Sequence, residues 1–179
     1  MPVDVATVQE RIRALRPRGA VTLVGIGGCG GAGKSTLAAA LEGAQVVSTD
    51  EFWNGSEFEL SRLEREVLGP LGRGEAARYR GFDWDRQRPF PDERVVQPEG
   101  VVVIEGVCAL HRRFREAYDL RIWVEAPREL RLARGVERDG EAARRTWEEV
   151  WMPMEERYIA RDRPRESADL IVDGSGGDP

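Results

Sequence analysis

Residues 28–35 read Gly-Cys-Gly-Gly-Ala-Gly-Lys-Ser, and Thr36 follows. The spacing G-x-x-x-x-G-K-S is that of a phosphate-binding loop, or P-loop. In such a loop the backbone N–H groups of Gly28, Gly30, Gly31, Ala32 and Gly33 cradle phosphate oxygens. Lys34 reaches the outer oxygens, Ser35 ligates Mg2+, and Thr36 ends the motif. Composition singles out the same place: of 27 Lys and Arg residues, Lys34 is the one lysine. A phosphate cradle calls for a compact ammonium on a flexible stem, which a planar guanidinium fork does not reproduce. The competing reading is a glycine-rich turn beside a surface lysine.

Two acids stand where phosphate chemistry needs them. Asp50 lies in Ser-Thr-Asp-Glu-Phe-Trp, directly after an apolar run. A carboxylate there can take the proton of an attacking hydroxyl and aim it in line with a γ-phosphate. Asp is also a favoured helix N-cap, which is the competing role. Its neighbour Glu51 either faces away or assists a metal. Glu105 ends Val-Val-Val-Ile-Glu, the pattern of an acid that holds Mg2+ directly or through water, or else an ordinary strand-end acid.

Further on, Arg131, Arg134, Arg138, Arg144 and Arg145 surround a short Asp-Gly connection at 139–140. Arginines on a closing segment stabilise the charge spread over a transferred phosphoryl group and exclude water. Arg134 and Arg138 share a helical face and are the candidate catalytic pair; a solvated surface position is the competing reading for each. Phe82, Asp83 and Trp84 suit a pocket that stacks a planar or sugar-like acceptor and binds its hydroxyls. The same residues would also make a hydrophobic cluster pinning a long loop.

These side chains need a frame. Apolar runs at 21–26, 45–48, 101–105, 121–124 and 169–172 read as strands, and helical patterns cover 35–42, 60–68, 111–118, 128–138 and 141–159. The alternation predicts an α/β fold, a five-stranded parallel sheet with helices on both faces and ligands at the carboxyl ends of the strands. Val5, Val8, Ile12 and Leu15 mark an amphipathic helix ending near Pro17. Residues 69–98, with four prolines and four glycines, read as an irregular acceptor loop. A short lid is expected at about 138–147, one domain over 1–173, and a disordered tail at 174–179. Trp147, Val150, Trp151, Met154 and Tyr158 follow core spacing, with Pro153 kinking or interrupting their helix. His111, the one histidine, is expected exposed on a helix.

The net charge is −5, and acids and arginines interleave along the 179 residues. That leaves no basic face for a nucleic acid polymer. Cys29 and Cys108 lack metal-ligand spacing, which suits a reducing compartment. No leader and no membrane-spanning run is visible. The expectation is a cytoplasmic protein acting on a small molecule, with no membrane partner and an oligomeric state left open.

In the order GGCGGAGKST, STDEF, YRGFDWD, VVVIEG, RLARGVERDG, WMPMEERY and ADLIVDG, the chain resembles the uridine kinase-like family of P-loop kinases over most of its length. The resemblance implies the P-loop nucleoside triphosphate hydrolase fold, ATP and Mg2+, and γ-phosphoryl transfer to a hydroxyl of a nucleoside or another small metabolite. It implies Asp50 as general base, Lys34 and Ser35 at ATP and Mg2+, Phe82–Trp84 at the acceptor, and Arg134 and Arg138 in the lid. Uridine kinases commonly place a histidine in the acceptor pocket; this chain has none near Phe82 or Trp84, and its lid is short. Similar chains act on nicotinamide riboside, pantothenate or sugar acids, so the acceptor stays open, as does ATP against GTP. Two other readings remain: a nucleoside monophosphate kinase, with Arg78 and Arg80 on the acceptor phosphate, and a nucleotide-gated binding protein without acceptor chemistry.

Overall fold

Runs of Val, Ile and Leu with no polar face become strands covered on both sides. The structure, a computed structural model, describes residues 4–176 and contains one five-stranded sheet whose central strands are of this kind: β1 (Thr22–Gly27), β2 (Ala44–Ser48), β3 (Val101–Glu105), β4 (Leu120–Glu125) and β5 (Leu170–Asp173). All pairings are parallel, in the order β2-β3-β1-β4-β5. The register sets Glu105 opposite both Ile26 and Ser48. The carboxyl ends of β1, β2 and β3 therefore come level at one edge.

Alternation along the strands divides the core between two faces. Leu23, Val47, Val102, Ile104 and Trp123 pack with Phe52, Leu63, Val67, Phe114 and Tyr118 on one side. Val24, Ile26, Val103, Ile122 and Val124 pack with Val8, Ile12 and Leu37 on the other. The last three come from α1 (Val5–Arg13) and α2 (Lys34–Ala39). Asp4 starts α1 by accepting the Thr7 N–H at 2.8 Å, an N-cap bond.

The two long helices after β4 are α3 (Arg128–Asp139) and α4 (Met152–Asp162). The stretch leading into α4 contains a π turn at Trp147–Trp151, and the helical residues 60–72 contain another at Glu64–Leu68. The Met152 and Gly69 N–H groups bond to Trp147 and Glu64, five residues back. Pro153 and Pro70 come next in each case. A proline ring collides with the carbonyl four residues earlier, and the wider π turn moves that carbonyl aside. Pro153 thus shifts the helix instead of ending it. The shift also alters which side chains face inward. Met152, Glu155, Tyr158 and Asp162 are buried, while Val150 and Met154, expected in the core, are 46% and 43% exposed.

Three further expectations change. Residues 111–118 hold only a 3-10 turn, Arg115–Ala117, because tertiary anchors override the local helical pattern. Phe114 and Tyr118 are buried, and the Tyr118 hydroxyl donates to the Ala109 carbonyl at 2.8 Å. His111 is not exposed: its ring stacks 6.3 Å from that of Tyr158, and Nε2 lies 3.5 Å from the Asp162 carboxylate. Residues 69–98 are more regular than their composition suggests, since Ala77–Tyr79 pairs with Arg94–Val96 and Phe82–Asp83 with Arg88–Pro89, both antiparallel. Gly174 follows the end of β5 and is tied to the sheet, donating its N–H to the Glu125 carbonyl at 2.8 Å. Residues 177–179 of the expected tail lie outside the described residues. Among the described residues, no helix is long and apolar enough to cross a membrane.

Candidate active site

The loop between β1 and α2 takes a shape that its glycines permit. Gly31 and Gly33 have φ of 73° and 98°. A Cβ on Gly31 would stand 2.5 Å from the Arg131 carbonyl, so a side chain is excluded by space as well as by backbone angle. Across the loop, the buried Lys34 reaches back and donates from Nζ to the Cys29 carbonyl at 2.9 Å. Among the described residues the Gly31 and Gly33 amides meet no protein acceptor, which leaves them available to phosphate oxygens. Cys29 is buried beneath the loop, and burial, with the Glu155 carboxylate adding to it, pushes its thiol up to about 12.

Beside the loop stand the acids. Ser35 Oγ donates to Glu105 Oε2 at 3.2 Å, so the two residues expected at Mg2+ meet across the ends of α2 and β3. Burial raises the Glu105 carboxyl above its ordinary value; Ser48, Lys34 and Ser35 oppose that rise, and Asp50 adds to it. Hard cations take oxygen ligands, and Mg2+ keeps water and phosphate in its shell, so a hydroxyl and one carboxylate fit it without a protein cage. Among the described residues no group of three His, Cys, Asp or Glu side chains is placed to hold a metal.

Asp50 sits inside a 3-10 turn, Thr49–Phe52, that directly follows β2. Ser48 caps this turn by accepting the Asp50 N–H at 3.3 Å. The cap role proposed for Asp50 is thus filled by another residue. Its own carboxylate has no hydrogen-bond or ion-pair partner among the described residues. The surrounding walls strip water from the carboxyl and raise it above its ordinary value, while the charges of Lys34 and Arg138 oppose the rise. Asp50 remains open to solvent in its cleft, so water tempers the effect until a ligand enters. Glu51 turns the other way, pairing with Arg94 at 3.1 Å. One of its oxygens is buried without a partner.

The acceptor loop divides into a wall and its supports. Trp84 is 40% exposed, stacks on Trp53 at 5.4 Å, and donates from Nε1 to the Asp50 carbonyl at 3.0 Å. Phe82 is buried and meets Trp84 edge-on. Asp83 spends Oδ1 on the Asp85 and Arg86 amides, at 3.1 and 3.0 Å, fixing the turn. The lid arginines divide likewise. Arg138 pairs with Asp139 at 2.7 Å and lies over the Trp147 ring at 5.8 Å, within the electrostatic reach of Asp50. Arg134 instead holds the loop from outside, donating to the carbonyls of Gly31 and Gly174 at 3.2 and 2.7 Å. Arg144 and Arg145 pair with Glu141 and Glu149 on the surface.

The phosphoribulokinase/uridine kinase family model matches residues 43–174, a span that takes in Asp50, the Trp84 wall, Glu105 and the arginines of α3. The chain belongs to this family. A uridine kinase of Halobacterium salinarum is 29% identical over 178 residues, covering 83% of this chain and 78% of its own. Among solved structures, a possible uridine kinase from Bacillus stearothermophilus shares the fold, with a TM-score of 0.71 at 16% identity over 94% of this chain and 97% of its own. A chain from Silicibacter sp. TM1040, described as a candidate fructose transport system kinase, gives a TM-score of 0.71 at 25% identity over 95% and 98%. As a member of the phosphoribulokinase/uridine kinase family, the protein is an ATP-dependent small-molecule kinase.

One element of this candidate site was passed over as a site residue, although it lies in the WMPMEERY segment. Glu155 lies in α4, buried, and accepts the Gly30 N–H at 2.6 Å. Periodicity pointed to an apolar stripe through Met154, and the π turn replaced it with Glu155. Its partner Arg131, at 3.0 Å, was visible only as one arginine among many.

Proposed function

We propose that this kinase transfers the γ-phosphoryl group of Mg·ATP to a hydroxyl of a small molecule, with a nucleoside as the leading acceptor. The observation that carries the reading is the unpartnered Asp50 carboxylate, fixed on the strand edge beside Lys34. A nucleotide-gated binding protein has no use for a partially desolvated, unpaired acid in that position. Asp50 takes the proton of the acceptor hydroxyl and orients its oxygen for in-line attack. Lys34 and the loop amides hold the phosphates, and Arg138 faces the charge that develops during transfer. Ser35 and Glu105 would hold Mg2+, which when bound neutralises phosphate charge. Trp84 and Trp53 form the face against which the acceptor stacks, with Phe82 and Asp83 keeping that face in place.

A sugar-like acceptor is the second reading. It is favoured by the description of the Silicibacter chain and by the position of the single histidine, which packs on Tyr158 and Asp162 instead of beside Trp84. The replacement D50N separates transfer from binding. Mg·ATP affinity is expected to stay within a few-fold of wild type, while phosphoryl transfer falls by about 10²–10⁴. Undiminished turnover in D50N overturns the assignment of the base.

A further inference from the structure

A P-loop cradles phosphate with the amides that point into it, and the amides that point out must be paired elsewhere. Gly30 is the third residue of the loop, and its N–H points away, to Glu155 Oε1 at 2.6 Å. The other Glu155 oxygen accepts from Arg131 Nη1 at 3.0 Å, and Arg131 Nε donates to the Ala126 carbonyl at 3.2 Å. The Glu155 and Arg131 side chains are only 8% and 12% exposed. On the same side, a Cβ added to Gly30 would meet the Trp147 ring at 2.8 Å and Glu155 Oε1 at 3.0 Å. The loop is therefore gripped from outside by α3 and α4.

We propose that Glu155 is a positioning residue for nucleotide binding, which fixes the P-loop in its phosphate-ready shape by accepting the Gly30 amide while Arg131 holds its carboxylate in place. The physical need is clear from the loop's composition. Glycines lose more conformational freedom on ordering than any other residue, so a four-glycine loop fluctuates unless its peptides are anchored. A charge-assisted hydrogen bond to a buried carboxylate is a strong anchor, and the Arg131 fork supplies the counter-charge that makes burying the carboxylate tolerable. Arg134 completes the grip by binding the Gly31 carbonyl. Through these contacts the loop takes its shape before any ligand arrives.

Two conservative replacements separate reach from charge. E155D keeps the charge but draws the carboxylate back by one methylene, while E155Q keeps the reach and gives up the charge. Titration calorimetry of the purified chain with Mg·ATP, beside thermal unfolding, reads the effect. The expected result is a dissociation constant raised about tenfold in both E155D and E155Q, because the shorter aspartate loses reach and glutamine offers one acceptor oxygen where the Gly30 N–H and Arg131 Nη1 require two. Wild-type affinity in E155D or in E155Q overturns the proposal. So does a lowered unfolding temperature in E155D without a change in affinity, which marks a merely structural role. Should E155D fail to fold, R131K gives the test, because it leaves Glu155 in place and removes the fork that aims it. Weaker Mg·ATP binding in R131K supports the proposal and unchanged binding overturns it. The inference rests on residues 28–35 being the nucleotide cradle, and binding of Mg·ATP by the wild-type chain tests that reading separately.

Discussion

Asp50 and Lys34 face one cleft under opposite constraints. A general base acts in its ionised form, and the walls around Asp50 raise its carboxyl, so protonation sets in at a higher pH than for an ordinary aspartate. As pH falls, the transfer rate is therefore expected to drop along a limb centred above the usual value of about 4, and D50N should lack that limb. A pH profile of turnover with saturating Mg·ATP checks both statements. Lys34 is constrained by shape. It is buried, with Nζ bound to the Cys29 carbonyl, a contact that a bulkier planar guanidinium fork does not reproduce. K34R preserves the charge, yet it is expected to weaken Mg·ATP binding at least about tenfold in a direct titration. Wild-type affinity in K34R would show that charge alone suffices there.

The elements around the cleft act through close packing, and α3 shows how a helix can be tied to a distant turn. Gly135 sits in the middle of α3, where a methyl group would run into the Trp147 ring. That ring cannot retreat freely, since Nε1 is bound to Asp139 at 2.9 Å and the far edge rests on Gly30. Helix propensity alone favours alanine over glycine by about 1 kcal/mol. Overpacking a fixed core costs about 1–3 kcal/mol, so the clash prevails. G135A is expected to lower the unfolding temperature by about 2–4 °C per kcal/mol of net loss and to raise the apparent KM for ATP, since Trp147 also carries Arg138. At this scale the sequence was only partly legible. Strands announced themselves by unbroken apolar runs, whereas the π turns before Pro70 and Pro153 shifted helical register by a residue that no regular period contains. Residues 111–118 show the same limit from the other side: a helical pattern yielded to anchors at Phe114 and Tyr118 that only the folded chain supplies.

For the whole molecule, the sheet order brings three segments far apart in sequence to one edge: the loop after β1, the turn after β2 and the end of β3. The order was predictable in kind, because strands alternating with helices imply a parallel sheet and a site at its carboxyl edge. Motif and position accordingly singled out Lys34, Ser35, Asp50 and Glu105 as candidates, and the fold brings them to that edge. The contacts of Glu155 and Arg131 and the outward role of Arg134 were not legible, because each depends on a partner more than twenty residues away and on no local pattern. The central claim is catalysis of transfer to a hydroxyl, and acceptor-dependent ADP formation from Mg·ATP tests it most directly. The panel comprises nucleosides, vitamins, sugars, sugar acids and nucleoside monophosphates, each run with wild type and D50N. The account predicts that at least one hydroxyl acceptor, a nucleoside first, raises ADP formation well above the acceptor-free rate in wild type and leaves D50N at background. Mg·ATP binding with no acceptor-dependent ADP formation across the panel, or equal stimulation in D50N, would contradict it.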